Sequence, residues 1–237
     1  MPLNKLELTG RARTHVIEPP GLSCLMHPAA AAAFQAMRES AARSGIVLEV
    51  ASGYRHFDRQ RQIWNAKFSG ERPVLDAAGR PVDVTRLGDA QRVETLLLWT
   101  ALPGASRHHW GTDFDVIDRA AMPEGYTVRL VTEEYAAGGL FAPLSTWLDC
   151  NIRRFGFFRP YETGRGGVRP EPWHLSYAPV AKAALAALDV DTLAEAIRGH
   201  DVHGEAAILA RMPRIHRHHV RGVDRPPRMR SRWARLP

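Results

Sequence analysis

The sequence is poor in cysteine and has no long apolar run. Two cysteines, Cys24 and Cys150, stand in a chain of 237 residues, too few for a disulfide scaffold or a thiolate zinc site. A membrane-spanning helix needs about 18 or more consecutive apolar residues, and the sequence has no such run. We therefore expect no membrane span.

The first residues also lack the basic start and apolar stretch of a secretory signal. On this ground we expect a cytoplasmic protein. A periplasmic or cell-wall location stays the alternative, because a chain trimmed of its leader would read the same.

What the chain does contain is an ordinary globular composition with an uneven charge. It is 45% hydrophobic and 24% charged, which suits one substantial core. Residues 211–237 hold nine arginines and one acid, Asp224, a local charge of +8 against +7 for the whole chain. Residues 1–210 are therefore nearly neutral, and we expect one folded domain there followed by a flexible, Arg-rich basic tail over 211–237.

The tail suggests contact with an anionic polymer, with nucleic acid as the weaker option. A nucleic-acid-binding body would carry a basic face, and residues 1–210 have no excess of positive charge. We therefore do not expect nucleic acid as a partner.

The pattern of apolar residues predicts a mixture of helices and strands without regular alternation. An alanine-rich helix follows Pro28, short strands are predicted at 46–50, 112–117, 157–158 and 172–177, and helices separate them. This order is typical of the α+β class, with a small antiparallel sheet flanked by helices.

Two distant segments concentrate residues that bind metals. Catalytic zinc usually takes three protein ligands and leaves one position open. A loop histidine, His108, and a strand aspartate seven residues later, Asp115, can supply two ligands, and His174 can supply the third. Because Asp113 shares a strand face with Asp115, and His109 adjoins His108, these neighbours stay open as competing ligands or as supports.

Three motifs in this order resemble a known family. The pattern Ser-x-His-x-x-Gly-x-x-x-Asp covers 106–115, Glu-Pro-Trp-His covers 171–174, and Ser-Gly-Tyr-Arg-x-x-x-x-Gln covers 52–60. Together they resemble the VanY-like zinc D-alanyl-D-alanine carboxypeptidases over residues 25–185. That family shares its fold with the hedgehog signalling domain and the D-Ala-D-Ala dipeptidases, so the resemblance implies the hedgehog/DD-peptidase fold.

The resemblance also implies a role for each matched residue. The implied ligands of one zinc ion are His108, Asp115 and His174, and Glu171 is the implied general base. Arg55 is implied to stabilise the developing oxyanion, because an arginine stays cationic at any working pH. The two implied substrate contacts are Ser106 and Gln60.

Three positions depart from the family pattern. Asp113 stands where relatives usually carry a small residue. His56 replaces a frequent serine, and Ser176 stands where an arginine often follows the Trp-His pair. We expect the changes at His56 and Ser176 to affect how the substrate end is held.

The expected function is a zinc metallopeptidase of the cell wall, acting on peptidoglycan-derived peptides. The first expectation is a D,D-carboxypeptidase that cleaves at a D-Ala-type C-terminus. An L,D-carboxypeptidase of wall recycling and a lysin-like peptidoglycan endopeptidase are the alternatives. A zinc-containing binding module of the same fold is the non-enzymatic alternative, and such a module would not need both Glu171 and Arg55.

Overall fold

The structure is a computed structural model that describes residues 2–165 and 167–226. At its centre lies a four-stranded antiparallel sheet with the strand order β1-β2-β4-β3. The strands are β1 (Leu48–Ser52), β2 (Asp113–Asp118), β3 (Phe157–Phe158) and β4 (His174–Tyr177). The predicted α+β class with a small antiparallel sheet is confirmed.

Helices flank this sheet. They are α1 (Lys5–Leu8), α2 (Pro28–Ala42), α3 (Phe57–Phe68), α4 (Asp89–Leu96), α5 (Thr132–Tyr135), α6 (Ala142–Asn151), α7 (Ala178–Ala187), α8 (Val190–Ile197) and α9 (Glu205–Ile215). Among the described residues, no helix has both the length and the apolar character that crossing a lipid bilayer demands.

Strand β2 determines what each face of the sheet carries. Side chains alternate between the two faces along a strand, so Phe114 and Val116 share one face while Asp113 and Asp115 share the other. Phe114 and Val116 are fully buried in an apolar core with residues of α2 and α6. The two aspartates are buried as well, and buried carboxylates require polar or cationic partners.

Helix α2 covers the apolar face of the sheet. Pro28 occupies its first turn, and the Nδ1 atom of His27 accepts a hydrogen bond from the Ala29 N–H at 3.2 Å. Ala30, Phe34 and Met37 recur at helical spacing and are fully buried. The alanine-rich segment thus forms the helix that its composition predicts.

A second apolar core lies among α3, α4, α7, α8 and α9. Trp64 of α3 is fully buried there, and its indole Nε1 donates to the His203 carbonyl at 3.0 Å. Leu193 of α8 and Ile208 of α9 are also fully buried in this core. It anchors α3, which carries residues of the functional cleft described below.

The boundary predicted at residue 210 is wrong. Helix α9 runs through it to Ile215, and a π-helical turn follows over His216–Val220. Three apolar side chains of this segment are buried in the second core: Met212, Ile215 and Val220. The arginines between them lie on the opposite side of the same helical segment. Residues 211–226 therefore belong to the folded body, while residues 227–237 of the predicted tail lie outside the described residues.

We expect a chain that ends at residue 210 to be much less stable than one that ends at residue 226. The shorter chain loses four buried apolar side chains, Met212, Ile215, Val220 and Val223, each contributing about 1.5–3 kcal/mol. At about 2–4 °C per kcal/mol for a protein of this size, its Tm should fall by roughly 10 °C or more in a calorimetric comparison. Equal unfolding temperatures for the two chains would show that residues 211–226 do not stabilise the body.

Candidate active site

Three side chains that bind metals converge on the polar face of the sheet. Asp115 of β2 lies directly opposite His174 of β4 in the antiparallel register, so both project from the same face. His108 reaches them from a 3₁₀ turn, Arg107–Trp110, which ends at Gly111 with φ of 65°. One ligand atom from each of the three residues lies within 4.8 Å of the others, and all three side chains are buried.

Hydrogen bonds orient both imidazole rings. His108 Nδ1 lies 3.0 Å from the Gly53 carbonyl, and His174 Nε2 lies 3.1 Å from Asp113 Oδ1. Each of these nitrogens therefore donates its N–H, which leaves the lone pair on the other ring nitrogen. His108 Nε2 is then 3.5 Å from Asp115 Oδ2, and His174 Nδ1 is 3.2 Å from Asp115 Oδ1.

The hydrogen bonds of Asp113 answer the question of which aspartate faces the cluster. Asp113 Oδ1 accepts from His174 Nε2 and from Arg107 Nε, the latter at 2.7 Å, and its Oδ2 accepts from Thr112 Oγ1 at 2.6 Å. Both Asp113 oxygens accept hydrogen bonds, and Asp113 lies on the Nε2 side of the His174 ring, whereas Asp115 lies on its Nδ1 side. Asp113 therefore supports His174 from behind, and Asp115 is the carboxylate of the cluster.

His109 is likewise a supporting residue. Its Nδ1 lies 2.6 Å from the Arg55 carbonyl, and its Nε2 accepts from the Gly104 N–H at 3.2 Å. The ring is fully buried, and burial lowers its pKa to about 3, so it is neutral. With both ring nitrogens bonded, His109 fixes the backbone of Arg55.

The charges around the cluster favour a cation at its centre. Burial lowers the pKa of His108 to about 3, which keeps its ring neutral and able to bind a metal. Burial opposes the charged form of His174 as well, but the hydrogen bond to Asp113 and the adjacent carboxylates of Asp115 and Glu171 raise its pKa well above the ordinary value. The carboxylates thus attract positive charge to His174 Nδ1, which either a proton or a metal ion can supply.

Asp115 shows that the cluster fits a metal ion. Its Oδ1 atom is buried, and among the described residues it has no partner with hydrogen-bond geometry, although a buried carboxylate oxygen normally has one. Two imidazole nitrogens and a carboxylate oxygen are also a usual donor set for a catalytic metal with an open position. His108, Asp115 and His174 therefore form a group suited to holding a metal ion.

Glu171 lies next to this group. Its Oε2 is 3.3 Å from His174 Nδ1, and its backbone N–H donates to the Tyr161 carbonyl at 2.9 Å. Burial raises the pKa of the carboxyl, the shift that suits a group exchanging protons near neutral pH. The structure thus brings the predicted base and the three predicted ligands together.

Arg55 is held beside the group by side-chain hydrogen bonds. Its Nη1 donates to Gln60 Oε1 at 2.8 Å, and its Nη2 donates to Ser52 Oγ at 2.9 Å. Gln60 is buried, and its amide also donates to the Ala101 carbonyl at 2.7 Å. These bonds make Gln60 a support for Arg55, while its predicted contact with substrate stays a prediction.

One cleft of about 680 Å³ is lined by the three ligand-type residues together with Glu171, Arg55 and Gln60. Ser106 also lines it, and its predicted contact with substrate stays a prediction. Two of the other lining residues, Tyr161 and Lys67, have polar side chains that the motifs do not mark. Tyr161 packs its ring edge-on against His174, with the two ring centroids 5.0 Å apart, and no local pattern marks it. Lys67 lies seven residues after Gln60 on α3, a helical spacing that would have revealed it.

The departures from the family pattern lie away from the cleft. Ser176 is fully buried, and its Oγ accepts from Arg107 Nη2 at 2.5 Å. His56 caps α3 by accepting from the Asp58 N–H at 3.3 Å. Neither residue lines the cleft, so any effect on the substrate end has to be indirect, and that expectation stays a prediction.

Comparison with known proteins identifies the family. A family model described as VanY, D-alanyl-D-alanine carboxypeptidase, matches residues 23–180. A Haemophilus influenzae protein described only as uncharacterized is 43% identical over 105 residues, covering 43% of this chain and 72% of that protein. A D-alanyl-D-alanine carboxypeptidase of Enterococcus faecalis is 30% identical over 152 residues, covering 63% of this chain and 47% of that protein.

Solved structures share the fold. VanYB in complex with D-alanine-D-alanine superposes with a TM-score of 0.52 at 24% identity, over 73% of this chain and 82% of that one. The D,D-pentapeptidase VanY of a VanB-type resistance cassette in complex with Zn(II) gives 0.50 at 25% identity, over 72% and 82%. The chain belongs to the VanY family of D-alanyl-D-alanine carboxypeptidases.

We expect an Asp113→Asn variant to bind Zn²⁺ roughly 10- to 100-fold more weakly than the wild type. The carboxylate that orients His174 is lost, and removing such a support typically has this effect on metal affinity. Affinity is measured by competition with a chelator. Asp118→Asn on the same strand is the matched control, because Asp118 accepts from the Val47 and Ala120 N–H groups, away from the cluster. Equal affinities for the Asp113→Asn variant and the wild type would refute this support.

Proposed function

We propose that the protein is a zinc-dependent D,D-carboxypeptidase that hydrolyses peptidoglycan stem peptides at a C-terminal D-Ala. The observation that carries the proposal is the convergence of His108, Asp115 and His174, within 4.8 Å of one another, in the cleft that also holds Glu171 and Arg55. Each of these five residues has a distinct part in peptide hydrolysis.

The residues that hold zinc are His108, Asp115 and His174. Their nitrogen and oxygen donors suit zinc, and such sites typically take three protein ligands. When bound, zinc supplies a Lewis acid that acidifies water and polarises a carbonyl group. Asp113 and the Gly53 carbonyl keep the two rings in the required tautomers.

Glu171 acts as the general base and then as the general acid. Its carboxylate takes a proton from the attacking water and passes it to the nitrogen of the leaving amino acid. Burial favours this exchange, because it raises the pKa of the carboxyl towards neutrality. The contact with His174 keeps Glu171 at the reacting centre.

Arg55 stabilises the negative charge that develops on the scissile carbonyl oxygen. The Gln60 and Ser52 bonds hold its guanidinium in place before substrate arrives. A preorganised cation of this kind needs no rearrangement during the reaction, which is why it lowers the barrier.

The substrate part of the proposal rests on the family. The Enterococcus faecalis relative carries the name D-alanyl-D-alanine carboxypeptidase, and VanYB is solved in complex with D-alanine-D-alanine. A non-enzymatic binding module would have no use for a base and an oxyanion partner beside the metal group, and this chain has Glu171 and Arg55 there. Their presence favours the enzyme over the module.

A Glu171→Gln variant should lose hydrolysis by about 10²- to 10⁴-fold while keeping its metal, because the amide cannot accept the proton. The assay incubates muropeptides ending in D-Ala-D-Ala and tetrapeptides ending in L-centre-D-Ala, with and without chelator, and identifies the products by mass. Glu133→Gln is the control, since Glu133 also lines the cleft but is exposed and outside the proposed machinery.

Cleavage of the tetrapeptide ending in L-centre-D-Ala, in place of the muropeptide ending in D-Ala-D-Ala, would establish L,D-carboxypeptidase activity. Cleavage inside the peptide would establish the endopeptidase. Full turnover by the Glu171→Gln variant would refute the role of Glu171.

An Arg55→Lys variant should lower kcat by about a hundredfold or more with little change in metal content. Lysine keeps the charge but cannot form the forked pair of bonds to Gln60 and Ser52. Steady-state kinetics and metal analysis of the same preparation check this. Loss of the metal together with activity would make Arg55 a structural support of the cluster.

A further inference from the structure

Lys67 is a cation in the cleft that the mechanism does not use. It lies on α3 with Gln60 and Ile63, at the spacing that gives a helix one face, and all three line the cleft. Its Nζ donates to Thr100 Oγ1 at 2.6 Å. Gln60 binds the carbonyl of the next residue, Ala101.

This pairing places Lys67 close to the reacting centre. Thr100 and Ala101 are consecutive residues, so Lys67 and Gln60 bond to neighbouring points of one segment. Gln60 in turn holds Arg55, the proposed oxyanion partner. The ammonium therefore lines the same cleft as the Arg55 guanidinium and is linked to it through Gln60 and this segment.

Lys67 has no carboxylate within salt-bridge distance among the described residues. In the part of the chain that the structure describes, neither Lys67 nor Arg55 forms a salt bridge to a carboxylate. Arg72 lines the same cleft. Burial and the charge of Arg72 lower the pKa of Lys67, and the charge of Glu171 offsets them only in part. A half-buried ammonium without an anionic partner is unfavourable, so this end of the cleft is suited to binding an anion.

We propose that Lys67 binds the C-terminal carboxylate of the substrate and thereby makes the enzyme an exopeptidase. The inference rests on the proposed function, because that function supplies a peptide whose carboxylate lies one residue beyond the scissile bond. Lys67 donates its remaining N–H groups to this carboxylate, and Thr100 keeps the ammonium in place. An internal peptide bond has no charge at this position and leaves Lys67 unsatisfied.

The experiment compares a peptide ending in D-Ala-D-Ala with the same peptide as its C-terminal amide. For Lys67→Met, KM for the acid should rise about tenfold or more, the usual effect of losing a hydrogen bond to a charged group. The kcat for the acid and the KM for the amide should change by less than about twofold. Lys67→Arg should keep the preference for the acid, and Lys182→Met, at an exposed position of α7, should behave like the wild type.

The proposal would be overturned if the ratio of the KM for the acid to the KM for the amide were the same in Lys67→Met as in the wild type. Equal weakening of both peptides would also overturn it, because the lysine would then act on another part of the substrate or on the fold. A wild type without hydrolysis would contradict the proposed function instead. In that case the Kd values of the two peptides for the wild type and for Lys67→Met still decide whether Lys67 recognises a carboxylate.

Discussion

The site depends on one cross-strand pair, Asp115 of β2 opposite His174 of β4. Antiparallel register places their side chains side by side on one face, so the backbone of the sheet sets the spacing of two of the three ligand-type groups. A slip of one residue in either strand would turn the group to the opposite face, among Phe114 and Val116. The apolar core on that face therefore fixes the register of the two strands. That register in turn keeps Asp115 and His174 side by side.

The same constraint explains why the supports of the cluster lie behind it. Asp113 shares the face of Asp115, and it comes opposite Ser176, the next residue of β4 on the face of His174. Arg107 bonds to both, from the turn that presents His108. The family resemblance implies an arginine at the place of Ser176, and here Arg107, from a different segment, bonds to the residue at that place. Its charge compensates Asp113, which in turn orients His174, so the departures at 113 and 176 are linked physically.

Much of the architecture and the identity of the cluster could be predicted from sequence, because the motifs contain the chemistry and strand alternation gives the face. Asp113 and Asp115 were indistinguishable by pattern, since both lie on the same face of β2. Only their partners separate them. Thr112 is the preceding residue, but the bonds of Asp113 to Arg107 and His174 form only in the folded chain. Tyr161 and the burial of Met212 and Ile215 were missed for a similar reason: no local signal marks a residue whose role comes from a distant contact.

The C-terminal segment, residues 211–226, lies beyond the residues that the family model matches and still forms part of the cleft. Ile215, His219 and Val220 line the cleft wall. Asp224 accepts from the Glu162 and Thr163 N–H groups, and its own N–H donates to the Pro160 carbonyl. These bonds fix the start of the loop that runs to Glu171, whose N–H bonds to Tyr161. The positions of the base and of the Tyr161 ring beside His174 therefore depend on residues of this chain outside the family motifs.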